Sequence, residues 1–286
     1  MNALAEFTSV RPRLFGIAYR MLGSAAEAED ILQEVWLKWQ AYDTSTVENA
    51  GAFLATITTR LSINEAHTAR SRHETYIGPW LPEPVDTSAD PLLGAERGEA
   101  LEFAVLILLE KLSPVERAAY VLREAFDYPY PAIAAIVQLK EPAVRQLVSR
   151  ARKHLATSRR APVPGAQQRR LLSAFLDAAQ TGDMEKLEQL FADDVVSWSD
   201  GGGVAKLAAR IPIRGRERVA KFVAAFSTHF WAGVQLREVT ANGQPSVMIA
   251  RGGVDEAVLS VVASDSGIDQ LLWMMNPHKI TGFATP

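Results

Sequence analysis

Hydrophobic positions recur along the chain with two different periods, and the point where the period changes divides it. After Ser24, the residues Ala28, Ile31, Leu32, Val35, Trp39 and Tyr42 recur every three or four positions, the spacing of one face of a helix. Ser24-Ala25-Ala26-Glu27 opens that helix as a capping box, in which the serine hydroxyl accepts from the glutamate amide. From Ala50 a second helix turns Phe53, Ile57 and Leu61 inward and runs toward Arg70 and Arg72. A further helix over 101–112 is almost uniformly apolar from Ala104 to Leu109, which predicts burial. Ser113-Pro114-Val115-Glu116 combines an N-cap, a proline at the first helical position and a capping-box glutamate, and its helix continues to about Phe126. Pro131 to Val137 predicts a short helix, followed by a tight connection at Gln138-Leu139-Lys140 and a helix from Glu141 to about Leu155. In that last helix Val144, Leu147, Val148, Ala151 and Leu155 form an apolar stripe. Arg145, Gln146, Ser149, Arg152 and Lys153 occupy the opposite arc, the arrangement of a helix-turn-helix.

Past residue 168 the rhythm changes. Two helices, about Gln168–Gln180 and Met184–Phe191, precede β-branched segments at Val195–Trp198, Leu236–Thr240, Val247–Ala250, Ala257–Val262 and Ile268–Met274. Another helix is expected over Arg216–Thr228, and Asn242-Gly243, Gly252-Gly253 and Ser266-Gly267 suit hairpin turns. The pattern predicts an α+β domain with helices on a curved antiparallel sheet. Prolines 79, 82, 84 and 91, and later 162 and 164, break the helical pattern. The expected organisation is a helical domain over 1–77, a Pro-rich linker over 78–100, a helix-turn-helix domain over 101–160, a short linker over 161–167 and the α+β domain over 168–286.

Composition narrows the classes. The 286 residues are 48% hydrophobic and 22% charged, a globular balance. With no cysteine there is no disulfide framework, thiolate metal site or thiol switch. No apolar run approaches the ~20 residues a membrane helix needs, and no signal peptide is visible, so a cytoplasmic protein without a membrane partner is expected. The net charge of −3 conceals a segregation: residues 1–100 carry −6, 101–170 carry +6 and 171–286 carry −3. A charge this local describes partners.

The residues then limit the chemistry. Arg145, Gln146, Arg152 and Lys153 suit base edges and phosphates in a major groove. The acidic face of Glu27, Asp30 and Glu34, with Gln33 beside it, would repel phosphate; solvation or a basic protein surface would satisfy it. The five histidines form no helical metal-binding pair, and no cofactor or metal is expected. Gly201-Gly202-Gly203 lacks the following Gly-Lys-Ser/Thr of a phosphate loop, and Asp200, Asp265 and His278 have no evident acid–base partners, which argues against an enzyme.

Asp30-Ile31-Leu32-Gln33-Glu34-Val35-Trp36 resembles the core-polymerase-binding helix of region two in bacterial sigma factors. Ala52-Phe53-Leu54 through Arg60-Leu61 to Arg70-Ser71-Arg72 resembles the following region-two helix, which in that family reads and melts the downstream promoter element. Leu112–Arg117 and Val144–Arg152 resemble region four, which binds the upstream element. Regions two and four without region three resemble the extracytoplasmic-function class. Trp80-Leu81-Pro82-Glu83-Pro84, Asp200-Gly201-Gly202-Gly203 and Asn276-Pro277-His278-Lys279 resemble the motifs of a subgroup with a C-terminal SnoaL-like domain, a cone-shaped α+β fold.

The resemblance implies a sigma factor of two all-α domains followed by that cone. It would bind core RNA polymerase (beta-prime and beta subunits) through Asp30, Gln33, Glu34 and Trp36. The downstream element would fall to Arg60, Asn64, Arg70 and Arg72, and the upstream one to Arg145, Gln146, Ser149, Arg150, Arg152 and Lys153. The three motifs of linker and cone would make a regulatory contact in cis, with an unidentified small ligand in the cone left open. The rival readings are a polymerase-independent helix-turn-helix regulator with a ligand-sensing C-terminal domain, and an enzyme built on the cone. Four departures from the family pattern stand out: Asn64-Glu65-Ala66-His67 is poor in positive charge where a dense basic run is usual, Gln138 and Lys140 occupy a turn that usually carries Gly and a Ser or Thr cap, Val204 follows the triple glycine where a lysine is common, and His278 stands at a usually acidic position.

Overall fold

A computed structural model describes residues 3–87, 101–158 and 160–283, apart from the side chains of 70–74. They form two compact units: residues 3–75 together with 101–158, and residues 76–87 together with 160–283.

The first unit is all helix: α1 (Ala3–Leu22), α2 (Ala25–Ala41), α3 (Ala50–Glu74), α4 (Phe103–Leu109), α5 (Pro114–Glu124), α6 (Tyr130–Val137) and α7 (Glu141–Ser158). Helix α1 is its centre, with every residue from Leu14 to Leu22 buried. Its first half is largely exposed, with only Phe7 buried, whereas the second half is buried on every side and so carries no amphipathic period there. The capping box at Ser113 forms as expected, with the Ser113 hydroxyl and Glu116 bonding reciprocally. The Ser24 hydroxyl caps α2 through the Glu27 amide. Two buried polar anchors fix the packing. The Trp39 indole donates to the Ala3 carbonyl at 3.0 Å. The buried Arg117 guanidinium donates to the Met21 carbonyl at 2.5 Å and pairs with Glu110 at 2.6 Å, tying α5 to the end of α1.

In the second unit, α8 (Gly165–Thr181), α9 (Met184–Leu190) and α10 (Arg216–Ala225) accompany six strands: β1 (Phe191–Asp200), β2 (Ile213–Arg214), β3 (Val234–Ala241), β4 (Gln244–Arg251), β5 (Val254–Ser264) and β6 (Gly267–Met274). All five expected strands are present. The sheet order is β2-β1-β6-β5-β4-β3. The expectation of an antiparallel sheet needs correction: β1 and β6 run parallel, placing Ser199 opposite Trp273. The chain between them contains α10 and four strands, ample for the crossover a parallel pair requires. Strand β2, two residues long, carried no pattern to detect. Phe191 begins β1 rather than ending a helix, and α10 stops at Ala225, short of Thr228. Register shifts between Ile249 and Ala250 and between Val262 and Ala263 bend the sheet. Its concave face holds the core, where Phe175, Phe191, Val195, Val219, Leu271 and Trp273 meet.

Candidate functional sites

The C-terminal unit encloses the proline-rich segment. Leu81, Pro82, Glu83 and Pro84 are buried and Trp80 is half-buried, which a freely solvated tether would not be. At the end of β1 stands Asp200, wholly buried. Its Oδ2 accepts the Leu81 amide at 2.9 Å and the Lys279 ammonium at 2.8 Å. Its Oδ1 accepts the Tyr76 hydroxyl at 2.5 Å and the Gly202 amide at 3.2 Å. Four donors around one carboxylate satisfy a buried charge. Lys279 also donates to the Leu81 carbonyl at 2.7 Å, and its ammonium lies 4.4 Å from the Trp80 ring centroid and 5.2 Å from that of Tyr76. Two aromatic faces and a carboxylate therefore surround one cation.

Asn276 completes the cluster. Its Nδ2 donates to the Tyr76 oxygen at 2.9 Å, and its Oδ1 accepts the His278 amide at 3.0 Å. The Pro277 and His278 side chains are exposed. The triple glycine is a close-packed turn. Gly202 has a φ of +58°, and a Cβ there would lie 2.5 Å from Asn276 Nδ2; one on Gly201 would lie 2.4 Å from Ala208 Cβ. The Tyr76 hydroxyl is held well above the usual tyrosine pKa, first by burial, then by its hydrogen bond to Asp200 and that carboxylate's charge. The bond from Asn276 opposes this in part.

A second clamp follows. The Val85 amide donates to Asn242 Oδ1 at 2.9 Å, and the Asn242 amide donates to the Val85 carbonyl at 2.9 Å. Asp86 bridges Ala241 in antiparallel fashion, and the Thr87 amide donates to the Thr240 carbonyl at 3.0 Å. Motif matching missed Tyr76 and Asn242. Asn242-Gly243 signalled a hairpin turn and does form one, with φ of +55° and +74°. Nothing in the sequence said that the Asn242 side chain turns back to the linker.

The helical unit sorts the remaining candidates by exposure. Asp30, Gln33 and Glu34 lie exposed on α2, and Trp36 is half-buried against Phe7 at 5.1 Å. On α3, Asn64 is exposed, and the Arg70 and Arg72 side chains lie outside the described residues. Arg60 is engaged within the unit: its Nε donates to the Ile136 carbonyl at 2.9 Å and its Nη2 to the Ala135 carbonyl at 3.0 Å. On α7, Arg145, Gln146, Ser149, Arg150, Arg152 and Lys153 are all exposed. Arg145 pairs with Glu141 at 2.6 Å and lies over the Tyr130 ring, Arg152 pairs with Glu124 at 2.6 Å, and Arg150 approaches Glu116 at 3.6 Å. With the arginine side chains half or more exposed, these pairs contribute little. Gln138 adopts the left-handed conformation, φ +58° and ψ +41°, which favours glycine. Among the described residues no acidic or histidine cluster suits a metal ion, and no helix is long and apolar enough to cross a membrane.

Family models match this architecture piece by piece: Sigma-70 region 2 over residues 7–72, Sigma-70 region 4 over 103–155 and a SnoaL-like domain over 172–269. The chain belongs to the extracytoplasmic-function RNA polymerase sigma factors, which bind polymerase and promoter DNA to initiate transcription and are not enzymes. It is 34% identical to the ECF RNA polymerase sigma factor SigJ of Mycobacterium tuberculosis, across 98% of this chain and 93% of that one. A probable ECF sigma factor of the same species, SigI, is 29% identical across 96% of this chain and 94% of its own. The crystal structure of M. tuberculosis SigJ superposes with a TM-score of 0.79 at 30% identity, covering 98% of both chains.

Proposed function

We propose that this sigma factor is controlled in cis by its SnoaL-like domain, through possession of the segment that joins its two promoter-reading regions. The observation that carries this is the double clamp on residues 76–87, by Asp200 and Lys279 at one end and Asn242 at the other. In the sigma family that joining segment threads through the polymerase. A segment whose amide, carbonyl and aromatic groups are bound within its own chain must exchange those partners to do so. Asp30, Gln33, Glu34 and Trp36 meet the beta-prime subunit, with further contact to the beta subunit. Arg60, Asn64, Arg70 and Arg72 read the downstream element, and the basic face of α7 reads the upstream one. The work of initiation is binding, alignment and duplex opening, at an unstacking cost of about a few kcal/mol per step. Action beside the polymerase places the protein in the cytoplasm.

The test is run-off transcription with core polymerase and full-length protein. Asp200→Asn with Lys279→Met should change transcript yield several-fold while polymerase association in a pull-down is retained. Unchanged yield from a variant with a released linker would remove the cis control. Asp30→Arg with Glu34→Lys should abolish association itself, and retained association would remove α2 as the docking helix.

A further inference from the structure

The loop that follows β1 meets the linker a second time, beyond Asp200. A Cβ on Gly203 would lie 3.1 Å from Ile77 Cδ1, and one on Gly78 would lie 3.8 Å from the Arg210 Cα, so Ile77 and Gly78 cross the loop at two places. All four residues line a cavity of about 240 Å³ whose walls are mainly polar. It is a seam between linker and loop rather than the interior of the cone. Ile77 and Gly78 precede the residues matched as SnoaL-like, 172–269, so a free-standing domain of that kind lacks this wall.

Two features fit the seam to an anion. First, Lys206 and Arg210 both line it, and neither has a carboxylate partner among the described residues. Other cations of the same stretch are engaged: Arg214 lies over the Trp198 ring at 5.4 Å, and Arg216 pairs with Asp193 at 2.8 Å. Among the described residues no acid lines the cavity, and the nearby Asp200 is wholly buried and held by four donors. An ammonium and a guanidinium without counter-charge raise the local concentration of anions. Second, the amides of Ile77 and Gly78 on one wall, and of Gly203 on the other, make no hydrogen bond among the described residues. An oxyanion accepts from several such donors at once, and it suits both the arginine fork and the lysine point charge. Ala205 and Ala208 line the same space and are too short to fill it. Two unpaired cations match a dianion, and a single carboxylate supplies half that charge.

We propose that this seam binds a dianionic phosphoryl group, free or carried on a small metabolite, which bridges the loop and the start of the linker. The bound anion adds a fastening to the clamp of Asp200 and Lys279 and makes the hold on the linker responsive to phosphate compounds. This rests on the reading that the linker is held in cis, and it names the chemistry that would regulate that hold.

The full-length protein is titrated calorimetrically with inorganic phosphate, and separately with glycerol 3-phosphate, in about 0.15 M potassium chloride to screen loosely held surface charge. At least one should bind saturably with a Kd below about 1 mM, and the tighter of the two identifies free phosphate or a phosphorylated metabolite as the source. Lys206→Met with Arg210→Met should weaken that binding about tenfold or more. Both side chains are exposed, so the double variant should keep the fold. No saturable binding of either probe up to about 20 mM would overturn the site. Equal binding by the double variant would place the anion on another basic surface, α7 included, and overturn it as well. With saturating phosphate, amide exchange at Ile77, Gly78 and Leu81 should slow several-fold. Binding without that change would overturn the fastening. Control in cis is read separately, from transcription by the Asp200→Asn/Lys279→Met variant, so the two readings fail independently.

Discussion

The Asp200 carboxylate and the Lys279 ammonium, 2.8 Å apart, form an ion pair in which the aspartate is wholly buried and the lysine side chain is 12% exposed. Both partners then use their remaining capacity on the linker, the aspartate on the Leu81 amide and the lysine on the Leu81 carbonyl. The pair holds both backbone polar groups of Leu81, and that makes the end of β1 and the turn after β6 a clasp for a third segment.

Removing one partner should therefore cost more than a surface pair would. Asp200→Asn keeps the shape but leaves the ammonium without its counter-charge, and the expected loss is about 3 kcal/mol. The double variant Asp200→Asn/Lys279→Met should lose less than the sum of its single variants. Urea denaturation of the full chain measures all three. A single-variant loss below about 1 kcal/mol would place the clasp among ordinary surface pairs.

Tyr76 adds a pH dependence at the alkaline end. Its pKa is raised in the fold, so the folded state retains the phenolic proton after the unfolded chain has released it. The resulting stabilisation is fully present below the ordinary tyrosine value of about 10 and is lost as pH rises above it. The slope approaches about 1.4 kcal/mol per pH unit for one group. Stability measured between about pH 9 and pH 11.5 should fall more steeply for the unaltered protein than for Tyr76→Phe. Parallel curves would mean that the phenol titrates as freely as in water.

The sequence and the structure agree where periodicity reports burial, and part where side chains converge from distant segments. The stripe Val144, Val148, Ala151 and Leu155 is buried, the Ser24 hydroxyl caps its helix and the capping box at Ser113 forms. The five longer strands, of 8 to 11 residues, were legible because their β-branched runs stand between turn signals. The parallel pairing of β1 with β6 was not, because pairing partners are set by the whole sheet rather than by either strand. The second half of helix α1 escaped for the opposite reason, being too deeply buried to show a polar face. Of the clasp, the three motifs stood out by their resemblance to those of the subgroup with a SnoaL-like domain. Tyr76 and Asn242 belonged to no cluster, and only the folded chain brings them to residues more than a hundred positions away.

Gln138 is a strained residue with an evident remedy. Its left-handed backbone closes the turn between α6 and α7, letting the Leu139 amide reach the Ala134 carbonyl at 3.0 Å. A side chain in that conformation costs about 1 kcal/mol, which glycine avoids. The Gln138 side chain is exposed, so little packing is lost. Gln138→Gly should raise stability by about 0.5–1 kcal/mol, read as a higher urea midpoint at unchanged slope. A lower midpoint would mean that the glutamine side chain contributes more than its backbone conformation costs.

Arg60 carries two obligations that compete. As a promoter-reading candidate on α3 it would need a free guanidinium, yet its Nε and Nη2 hold the Ile136 and Ala135 carbonyls. These carbonyls belong to the last turn of α6, where helix ends leave acceptors unfilled and a cation is favourable. A charged donor serving two of them is worth about 2 kcal/mol. Arg60→Ala should lower the stability of the free protein by about that much, with α6 the first segment to lose amide-exchange protection. Arg60→Lys should restore only part, since an ammonium cannot reproduce the planar two-point contact. If Arg60 served DNA alone, both variants would match the unaltered protein in stability and differ only in promoter binding. A loss of both together is the expected outcome, and it would mean that engaging the promoter through Arg60 first requires the end of α6 to give up its cap.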